Sequence, residues 1–278
     1  MKIGYNRGMR WIIEKNLFEY QDLLLAEIKA QGHEVLLVDF DPNPEEAIDK
    51  LIKKHGPTVF DSSIIHGSTR LGQTHLKPYI YGSSEQFLFS KYSRRFFDYM
   101  CNHKYVMCQW WQFPTMKSEL FRDREKVHIR PDSPWKVFSG GVVEFSKVDA
   151  WFNRENNCRE IPPETLCIIS PILPMPSEWR VLIVHGHAVT CSRYAIDGWG
   201  DTNPMTKEEI KESELVLEWA EFVAQEINYM PNMVMDIVPR DHGYNIVEIG
   251  CINTCDWYNC DLKKAVTELS RPLLNDNA

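Results

Sequence analysis

The sequence predicts a chain of mixed α and β structure, with an α/β layer in its first part and an α+β region in its second. In the first 66 residues, short apolar runs alternate with helical patterns, an order that is typical of a parallel sheet. From about residue 115 short apolar runs dominate, and a long helix then precedes a hairpin that carries two acidic residues. Together these patterns indicate one α/β and one α+β segment.

The first part is assigned element by element from the spacing of apolar residues and from helix-ending glycines. Gly32 ends the first helical pattern, and Gly56 followed by proline ends the second. The elements predicted in order are a strand in residues 1–6, a helix in 14–31, a strand in 35–40, a helix in 45–55 and an apolar run in 59–66. A glycine and serine loop follows at 67–72, where open α/β sheets bind ligands, although a plain turn fits it equally well.

The second part is assigned in the same way. We expect a helix in residues 87–100, a strand or linker in 105–113, and strands in 127–130, 137–145, 166–172, 179–185 and 188–194. Thr206 and Glu209 form a capping box for a helix that ends at Asn228, and its apolar face is expected to be ordinary core. The predicted division is an α/β domain in residues 1–110, an α+β domain in 111–270 and a tail in 271–278.

Composition limits the class of protein. The chain has 278 residues, 44% of them hydrophobic, so it can bury a sizeable core and is expected to be globular. Its net charge of −8 disfavours indiscriminate binding to phosphate backbones but leaves a local basic cleft possible. No apolar run predicts a membrane span, and the eight cysteines lack a common zinc signature. We therefore expect a cytoplasmic protein with reduced thiols, and the sequence does not predict its oligomeric state.

Two acidic residues stand in the predicted hairpin near the C-terminus. Asp236 and Glu248 are each flanked by apolar residues, so both strands are expected to be largely buried. A buried carboxylate needs a partner. The polar link at 240–243 has the composition of a turn, which would bring the two strands side by side. Two carboxylates that meet in this way predict a hard divalent cation such as Mg²⁺.

A basic segment lies upstream of this hairpin. Arg130 ends a predicted strand, Lys136 begins the next one, and Ser139 and Gly140 offer backbone amides in a flexible loop. Two cations and free amides are what a triphosphate requires. The alternative from these residues alone is a hairpin with two solvated basic side chains.

An apolar run punctuated by prolines follows, and it contains Ile169, Ser170 and Ile172. Such a run can act as a rigid linker whose backbone meets the edge of an adenine ring, although prolines are also common in ordinary connectors. Glu178 stands just beyond it, where its carboxylate could accept hydrogen bonds from a ribose.

Two arginines lie on the next pair of predicted strands. Arg180 shares a face with Glu178 because side chains alternate along a strand, and the two residues could also simply neutralise each other. Arg193 lies on the return strand, on the face opposite Ser192 and Tyr194. Its side chain is expected to point either to solvent or to the same cleft as the other cations.

The order of these motifs resembles the ATP-grasp superfamily of ATP-dependent ligases. It is most similar to the clade marked by a conserved arginine and two lysines, which is known mostly from phages and bacteria. The resemblance covers about residues 100–265. It implies an ATP-grasp fold, in which two α+β subdomains grip ATP, preceded by a small α/β pre-ATP-grasp domain.

The resemblance also implies ligand roles for the candidate residues. Those expected to contact ATP are Lys117, Arg130, Lys136, Ser139, Gly140, Ile169, Ser170, Ile172, Glu178 and Arg180. Lys117 is included as the second conserved lysine of the clade. Lys91 and Lys104 are also candidates for that lysine.

Catalysis and metal binding are implied by the same resemblance. Arg180, Arg193 and Lys136 would act on the transferred phosphoryl group, and Asp236, Glu248 and Asn253 would hold Mg²⁺. Gly250 stands where the common superfamily pattern has an asparagine.

The activity implied is that of an ATP- and Mg²⁺-dependent ligase. Such enzymes activate a carboxylate as an acyl phosphate and join it to an amine of a peptide, an amino acid or a small metabolite. Two alternatives remain open. One is an RNA ligase or repair enzyme, for which Lys91, Arg94 and Arg95 could line a nucleic-acid channel, although a solvated helix face is the more ordinary interpretation. The other is a nucleotide-binding module without turnover.

Overall fold

A computed structural model describes residues 8–39, 44–60, 63–72, 84–120, 125–132, 137–201, 203–241 and 243–271. They form two compact units. The larger unit combines residues 1–84 with 176–278, and the smaller unit comprises residues 85–175. Among the described residues, no helix is both long and apolar enough to cross a membrane.

The N-terminal part of the larger unit is a parallel sheet with strand order β2-β1-β3. Its strands are β1 (Arg10–Glu14), β2 (Glu34–Val38) and β3 (Ser63–His66), and its helices are α1 (Gln21–Ala30), α2 (Pro44–His55) and α3 (Thr69–Gly72). The predicted α/β layer with parallel pairing is confirmed. The strand predicted in residues 1–6 lies outside the described residues.

The first described strand differs from the prediction. A helix was expected to begin at Glu14, but that residue ends β1 and the helix begins at Gln21. Trp11, Ile12 and Ile13 are all fully buried. A central parallel strand is covered on both faces, so it is apolar throughout and lacks the alternation that identifies an exposed strand.

The smaller unit is an antiparallel sheet with strand order β4-β7-β5-β6. Its elements in chain order are α4 (Phe89–Tyr92), β4 (Val106–Gln109), α5 (Phe113–Leu120), β5 (Lys126–Pro131), β6 (Gly141–Glu144), α6 (Val148–Cys158) and β7 (Leu166–Pro171). Its core lies between this sheet and the residues of α5 and α6, with Trp110, Phe113 and Phe138 packed at its centre.

Two elements of this unit are shorter than predicted. In place of one continuous helix in 87–100, the structure has α4, the end of a short 3₁₀ turn, Ser84–Phe87, and a second such turn, Phe97–Tyr99. Phe89 packs edge-on against both Tyr92 and Tyr105, so tertiary contacts override the helical pattern. The strand expected in 137–145 is confined to β6.

The remainder of the larger unit is a five-stranded antiparallel sheet with strand order β10-β9-β8-β11-β12. Its strands are β8 (Ser177–Val184), β9 (His187–Ile196), β10 (Trp199–Gly200), β11 (Met233–Arg240) and β12 (Gly243–Gly250), and its helices are α7 (Lys207–Ile227) and α8 (Leu262–Leu269). The predicted strands and the capping box of α7 at Thr206 and Glu209 are confirmed.

The buried face of α7 shares only Val223 with the predicted apolar face, which comprised Ile210, Leu215, Leu217, Trp219, Phe222, Val223 and Ile227. The residues that it buries are small: Ser213, Val216, Ala220, Val223 and Ala224. Leu215 and Phe222, which were expected in the core, are 56% and 57% exposed. Small side chains let a helix lie close to a sheet, so packing distance rather than maximum hydrophobicity decides which face of α7 is buried.

A single hydrophobic core joins the two parts of the larger unit. Trp11 and Tyr20 from the N-terminal part pack in one cluster with Leu182, Val234 and Trp257. The compact units therefore follow a different division from the predicted sequence domains 1–110 and 111–270, because the N-terminal layer shares its core with residues beyond 176.

This shared core predicts that damage in β1 destabilises the distant helix α8. Trp11 is fully buried, meets Trp257 edge-on and donates a hydrogen bond from Nε1 to Ser270 Oγ at 3.1 Å. Trp11→Ala should lower the free energy of unfolding by roughly 3–5 kcal/mol and speed amide hydrogen exchange in α8 as well as in β1. Leu23→Ala, at a 67% exposed position of α1, is the matched control. Unchanged exchange in α8 would contradict a common core.

Candidate active site

A row of charged side chains crosses the five-stranded sheet of the larger unit. The strand register places Arg180 of β8 opposite Asp236 of β11, and Asp236 opposite Glu248 of β12. Directly opposed residues project from the same face of an antiparallel sheet. The predicted hairpin therefore does bring the two carboxylate positions together, and it adds a cation to them.

Arg180 and Asp236 form a buried bidentate ion pair. Arg180 Nε and Nη2 donate to Asp236 Oδ1 and Oδ2, each at 2.8 Å, and Nη1 donates to the backbone oxygen of Asp256 at 2.8 Å. The two side chains are only 12% and 5% exposed. Burial acts to lower the pKa of Arg180, but the charge and hydrogen bonds of Asp236 outweigh it and raise that pKa well above its ordinary value. Arg180 therefore stays charged.

Two tyrosines hold the guanidinium group of Arg180 from the other side. The rings of Tyr194 and Tyr258 stack on each other with centroids 4.9 Å apart and an interplanar angle of 8°. Arg180 Cζ lies 5.1 Å from the Tyr194 centroid and 5.0 Å from the Tyr258 centroid. Cations over aromatic faces are attracted by the ring quadrupole, so this pair fixes the orientation of Arg180.

Glu178 belongs to the same face, two residues before Arg180. Its Oε2 accepts a hydrogen bond from Tyr194 Oη at 2.9 Å. Arg180, on the same face, forms its ion pair with Asp236. Burial raises the pKa of Glu178, the hydrogen bond from Tyr194 lowers it, and the charges of Asp236 and Glu248 raise it; the net result is a raised pKa. The site thus holds three carboxyl groups and one cation.

A bulge in β9 accounts for the position of Tyr194. Glu178 pairs with Ala195 whereas Trp179 pairs with Arg193, so Tyr194 is the additional residue. Bulges turn a side chain away from the regular alternation of a strand. Here the bulge lets Tyr194 contact both Glu178 and Arg180.

Arg193 lies on the opposite face of the sheet, across from Trp179. It is 8% exposed and forms ion pairs with Asp201 and with Glu209 at the start of α7. The structure therefore does not bring Arg193 together with Arg180. Asp201 and Glu209 lie outside the hairpin of β8 and β9. The alternation of side chains along β9 therefore could not predict whether Arg193 points to solvent or to the cleft.

Asn253 forms hydrogen bonds with the end of β3. Its side chain is 2% exposed, and its Nδ2 donates to the backbone oxygen of Ile65 at 2.6 Å. Its own backbone oxygen accepts a hydrogen bond from Gly67 at 2.9 Å. These bonds tie the loop after β12 to the end of β3.

Gly250 is the last residue of β12 and lies on the face of Glu248, opposite Val234. A Cβ atom at this position would lie 3.0 Å from Val234 Cγ2, so any larger residue requires the valine to shift. Close packing explains why a glycine occupies the place of the asparagine in the common pattern.

The remaining candidates lie in the smaller unit, except Lys136, which falls outside the described residues. Arg130 in β5 donates from Nη2 to Tyr92 Oη at 2.9 Å, and its Cζ lies 5.2 Å from the ring centroid of Phe89. Gly140 packs against Arg130, where an added Cβ would lie 2.9 Å from Arg130 Cβ.

The other positions in this unit lie in or beside its sheet and helices. Lys117 lies in α5, and Ser139 lies in the exposed loop before β6. Ile169 and Ser170 are buried in β7, and Ile172 follows that strand with 41% exposure.

Two residues that contact Arg180 were not predicted from the sequence. Asp256 supplies a backbone oxygen and Tyr258 an aromatic face, both from the loop after β12. Neither periodicity nor a spacing rule marks such residues, because they reach Arg180 only through the path of a loop.

Asp236 and Glu248 have the chemistry of a Mg²⁺ site. Both supply hard oxygen ligands, and each oxygen of Asp236 keeps a lone pair after accepting one hydrogen bond from Arg180. In the part of the chain that the structure describes, no group of three or more His, Cys, Asp or Glu residues could enclose an ion. The donor set suits an ion that takes one or two carboxylates and completes its shell with phosphate and water.

Several solved structures share this fold. The RimK domain protein ATP-grasp from Sphaerobacter thermophilus is 13% identical, with a TM-score of 0.51 and 91% of each chain covered. D-cycloserine synthetase DcsG is 8% identical, with a TM-score of 0.55, covering 95% of this chain and 99% of that one. D-alanine–D-alanine ligase from Bacillus anthracis, complexed with ATP, is 9% identical, with a TM-score of 0.52, covering 87% and 85%. At these identities the similarity shows the fold alone.

Sequence comparison identifies the family. No curated protein sequence matches the chain. The model of the ATP-grasp domain, R2K clade family 3, matches residues 111–269, more than half of the chain. This match confirms the resemblance seen in the sequence motifs and the predicted ATP-grasp fold. The chain therefore belongs to family 3 of the R2K clade of ATP-grasp domain proteins.

Proposed function

We propose that this protein is an ATP- and Mg²⁺-dependent ligase that joins a carboxylate to an amine. The observation that carries the proposal is the row formed by Arg180, Asp236 and Glu248 on one face of the central sheet. In a member of the ATP-grasp family, a cation held beside two carboxylate positions suits the transfer of a phosphoryl group.

The reaction proceeds in two balanced steps. A substrate carboxylate oxygen attacks the γ-phosphorus of ATP, the bond to the bridging oxygen breaks, and ADP leaves. The amine then attacks the acyl carbon, loses a proton and expels inorganic phosphate, so that an amide forms. Negative charge spreads over the phosphoryl oxygens during the transfer, and it requires fixed positive groups nearby.

Arg180 is suited to supply such a group. A guanidinium carries five N–H donors, and three of them meet Asp236 and Asp256, which leaves two for phosphoryl oxygens. Because the ion pair and the two tyrosine rings already hold the side chain, little reorganisation accompanies the reaction. Arg193 is paired with acidic residues, and we propose that it positions β9 against α7 rather than contacting substrate.

Asp236 and Glu248 are proposed to hold the metal. Mg²⁺, when bound there, would neutralise phosphate charge and orient the transferred group. Asn253 donates its amide to the backbone of β3, so we assign it to holding the loop. The nucleotide contacts proposed in the smaller unit are Lys117, Arg130, Lys136, Ser139, Gly140, Ile169, Ser170 and Ile172.

The surface of the smaller unit favours an amine acceptor over RNA. Lys91, Arg94 and Arg95 are exposed, but Tyr92 and Phe96 beside them are fully buried. Recognition of single-stranded nucleic acid depends on aromatic faces on which bases stack. Of the three aromatic residues expected to line an RNA channel, Tyr92, Phe96 and Phe97, only Phe97 is exposed.

Isotope transfer tests the proposal directly. The protein is incubated with ATP, Mg²⁺, an amine pool and carboxylates labelled with ¹⁸O, and the released phosphate is analysed by mass spectrometry. Release of ADP together with ¹⁸O-phosphate supports acyl-phosphate chemistry. Release of AMP and pyrophosphate with an RNA substrate would favour an RNA ligase, and ATP binding without turnover on any pool would favour a nucleotide-binding module.

Asp236→Asn should reduce ligase turnover by roughly a hundredfold or more, because the change removes a metal ligand and loosens Arg180. Breaking a buried pair also destabilises the fold. The measurement is therefore the increase in Tm produced by an ATP analogue with Mg²⁺, compared with the same variant without ligand. That increase should shrink in Asp236→Asn and in Glu248→Gln but not in Asp241→Asn, a change at an exposed turn. An undiminished increase would remove Asp236 from the nucleotide site.

Glu178 predicts how ATP affinity depends on pH. We propose that its carboxylate accepts hydrogen bonds from the ribose, and this requires the ionised form. Because its pKa is raised, affinity should fall on acidification at a higher pH than an ordinary glutamate would allow. Titration calorimetry between about pH 7.5 and about pH 5 should show this loss. Glu178→Gln should bind weakly and without that pH dependence; an unchanged pH profile in Glu178→Gln would assign the effect to another group.

A further inference from the structure

Among the described residues, β6 is an edge strand of the smaller unit's sheet. The strand order ends at β6, and no described strand pairs with its outer side. Phe145 N donates to Glu125 O at 2.7 Å, which sets the alternation of the antiparallel pair. The backbone groups of Val143 consequently face β5, whereas those of Val142 and Glu144 face outward. Outward N–H and C=O groups on an edge strand are a template for another strand.

A basic groove of about 830 Å³ runs along this edge. Four cations line it, namely Lys126, Lys147, Arg154 and Arg159, against two carboxylates, Glu144 and Glu155. Ligand sites commonly span about 300–1,000 Å³, so the groove is large enough for a short segment of chain rather than a single ion. Its positive character stands out in a chain whose net charge is −8.

A buried carboxylate holds two of these cations in place. Glu155 is 8% exposed, and its Oε1 accepts from Arg154 Nη2 at 2.9 Å and Nε at 3.3 Å. Its Oε2 lies 3.2 Å from Arg159 Nε. Each guanidinium has five N–H donors. These contacts use two donors of Arg154 and one of Arg159, and the others can donate to a ligand.

We propose that this groove binds an extended acidic peptide segment, which adds a strand to β6. Val143 points into the core that β6 shares with α6. A peptide residue opposite Val143 would project from the same face of the sheet, the face on which α6 carries Arg154. Acidic residues at alternate positions would therefore meet the arginines while the peptide backbone pairs with Val142 and Glu144.

Ser139 and Gly140, which we propose as nucleotide contacts, also line the groove, so the peptide site adjoins that loop. The inference goes beyond the proposed ligase activity because Arg154 and Arg159 are not among the proposed nucleotide contacts.

Peptide is favoured over RNA by the form of the site. Strand addition gains affinity from main-chain hydrogen bonds and specificity from alternate side chains. A phosphate backbone would use the cations but cannot satisfy the alternating N–H and C=O groups of an edge strand.

The test uses the full-length protein and a fluorescent peptide of about eight residues in which glutamate alternates with valine. Binding is followed by fluorescence polarisation. Val142→Pro removes an outward N–H and leaves the bonds to β5 intact, a position where edge strands tolerate proline. This variant should weaken binding roughly tenfold, whereas Val142→Thr, which keeps the N–H, should not. If Val142→Pro alters the circular dichroism spectrum, proline placed in the peptide provides the same comparison on folded wild-type protein.

The charge contribution is tested by combining Arg154→Gln with Arg159→Gln. The matched control combines Lys207→Gln with Lys211→Gln, which removes two exposed cations from α7. The arginine pair should weaken peptide binding roughly tenfold and leave ATP affinity unchanged, so a failure of the ligase proposal remains distinguishable. The proposal is overturned by absence of peptide binding, by loss of ATP affinity in the arginine variant, or by RNA that binds equally well to wild type and Val142→Pro.

Discussion

The ion pair between Arg180 and Asp236 lies in the middle of the five-stranded sheet, where an unpaired charge would cost about 3–5 kcal/mol. The surrounding elements are arranged to avoid that cost. The register of β8 and β11 puts the two residues opposite each other, and the loop after β12 contributes the backbone oxygen of Asp256. The bulge in β9 turns Tyr194 toward the guanidinium, and the ring of Tyr258 stacks on the ring of Tyr194. The ion pair depends on each of these elements being held in place.

The N-terminal layer holds the loop that completes the pair. Trp257 in that loop donates its backbone N–H to Tyr20 Oη at 3.1 Å, and Tyr20 Oη lies 2.8 Å from His66 Nε2. Burial lowers the pKa of His66 to about 3, so the ring stays neutral, and the tautomer without a proton on Nε2 accepts a hydrogen bond from Tyr20 Oη. Asn253 adds its bond to the backbone of β3. This explains physically why residues on either side of the smaller unit in the sequence form one core.

The two units separate different kinds of charge. In the larger unit, the buried carboxylate of Asp236 pairs with one arginine, and the half-buried Glu178 and Glu248 lie on the same face of the sheet. In the smaller unit, Glu155 is a buried carboxylate, and the arginines that it holds remain largely exposed beside the edge strand β6. An acidic protein can thus present a local cationic surface, because the position of its charges matters more to a ligand than their sum.

Local patterns in the sequence determined the parallel N-terminal layer, the capping box of α7 and the hairpin that pairs Asp236 with Glu248. The order of motifs further determined the family. These features depend on the spacing of apolar residues and on turn composition, which neighbouring residues decide. Tertiary structure decided the direction of Arg193, the buried face of α7 and the contacts of Asn253. A bulge, a close helix–sheet approach and a loop path are set by partners far away in the chain, and the sequence carries no periodic signal of such contacts.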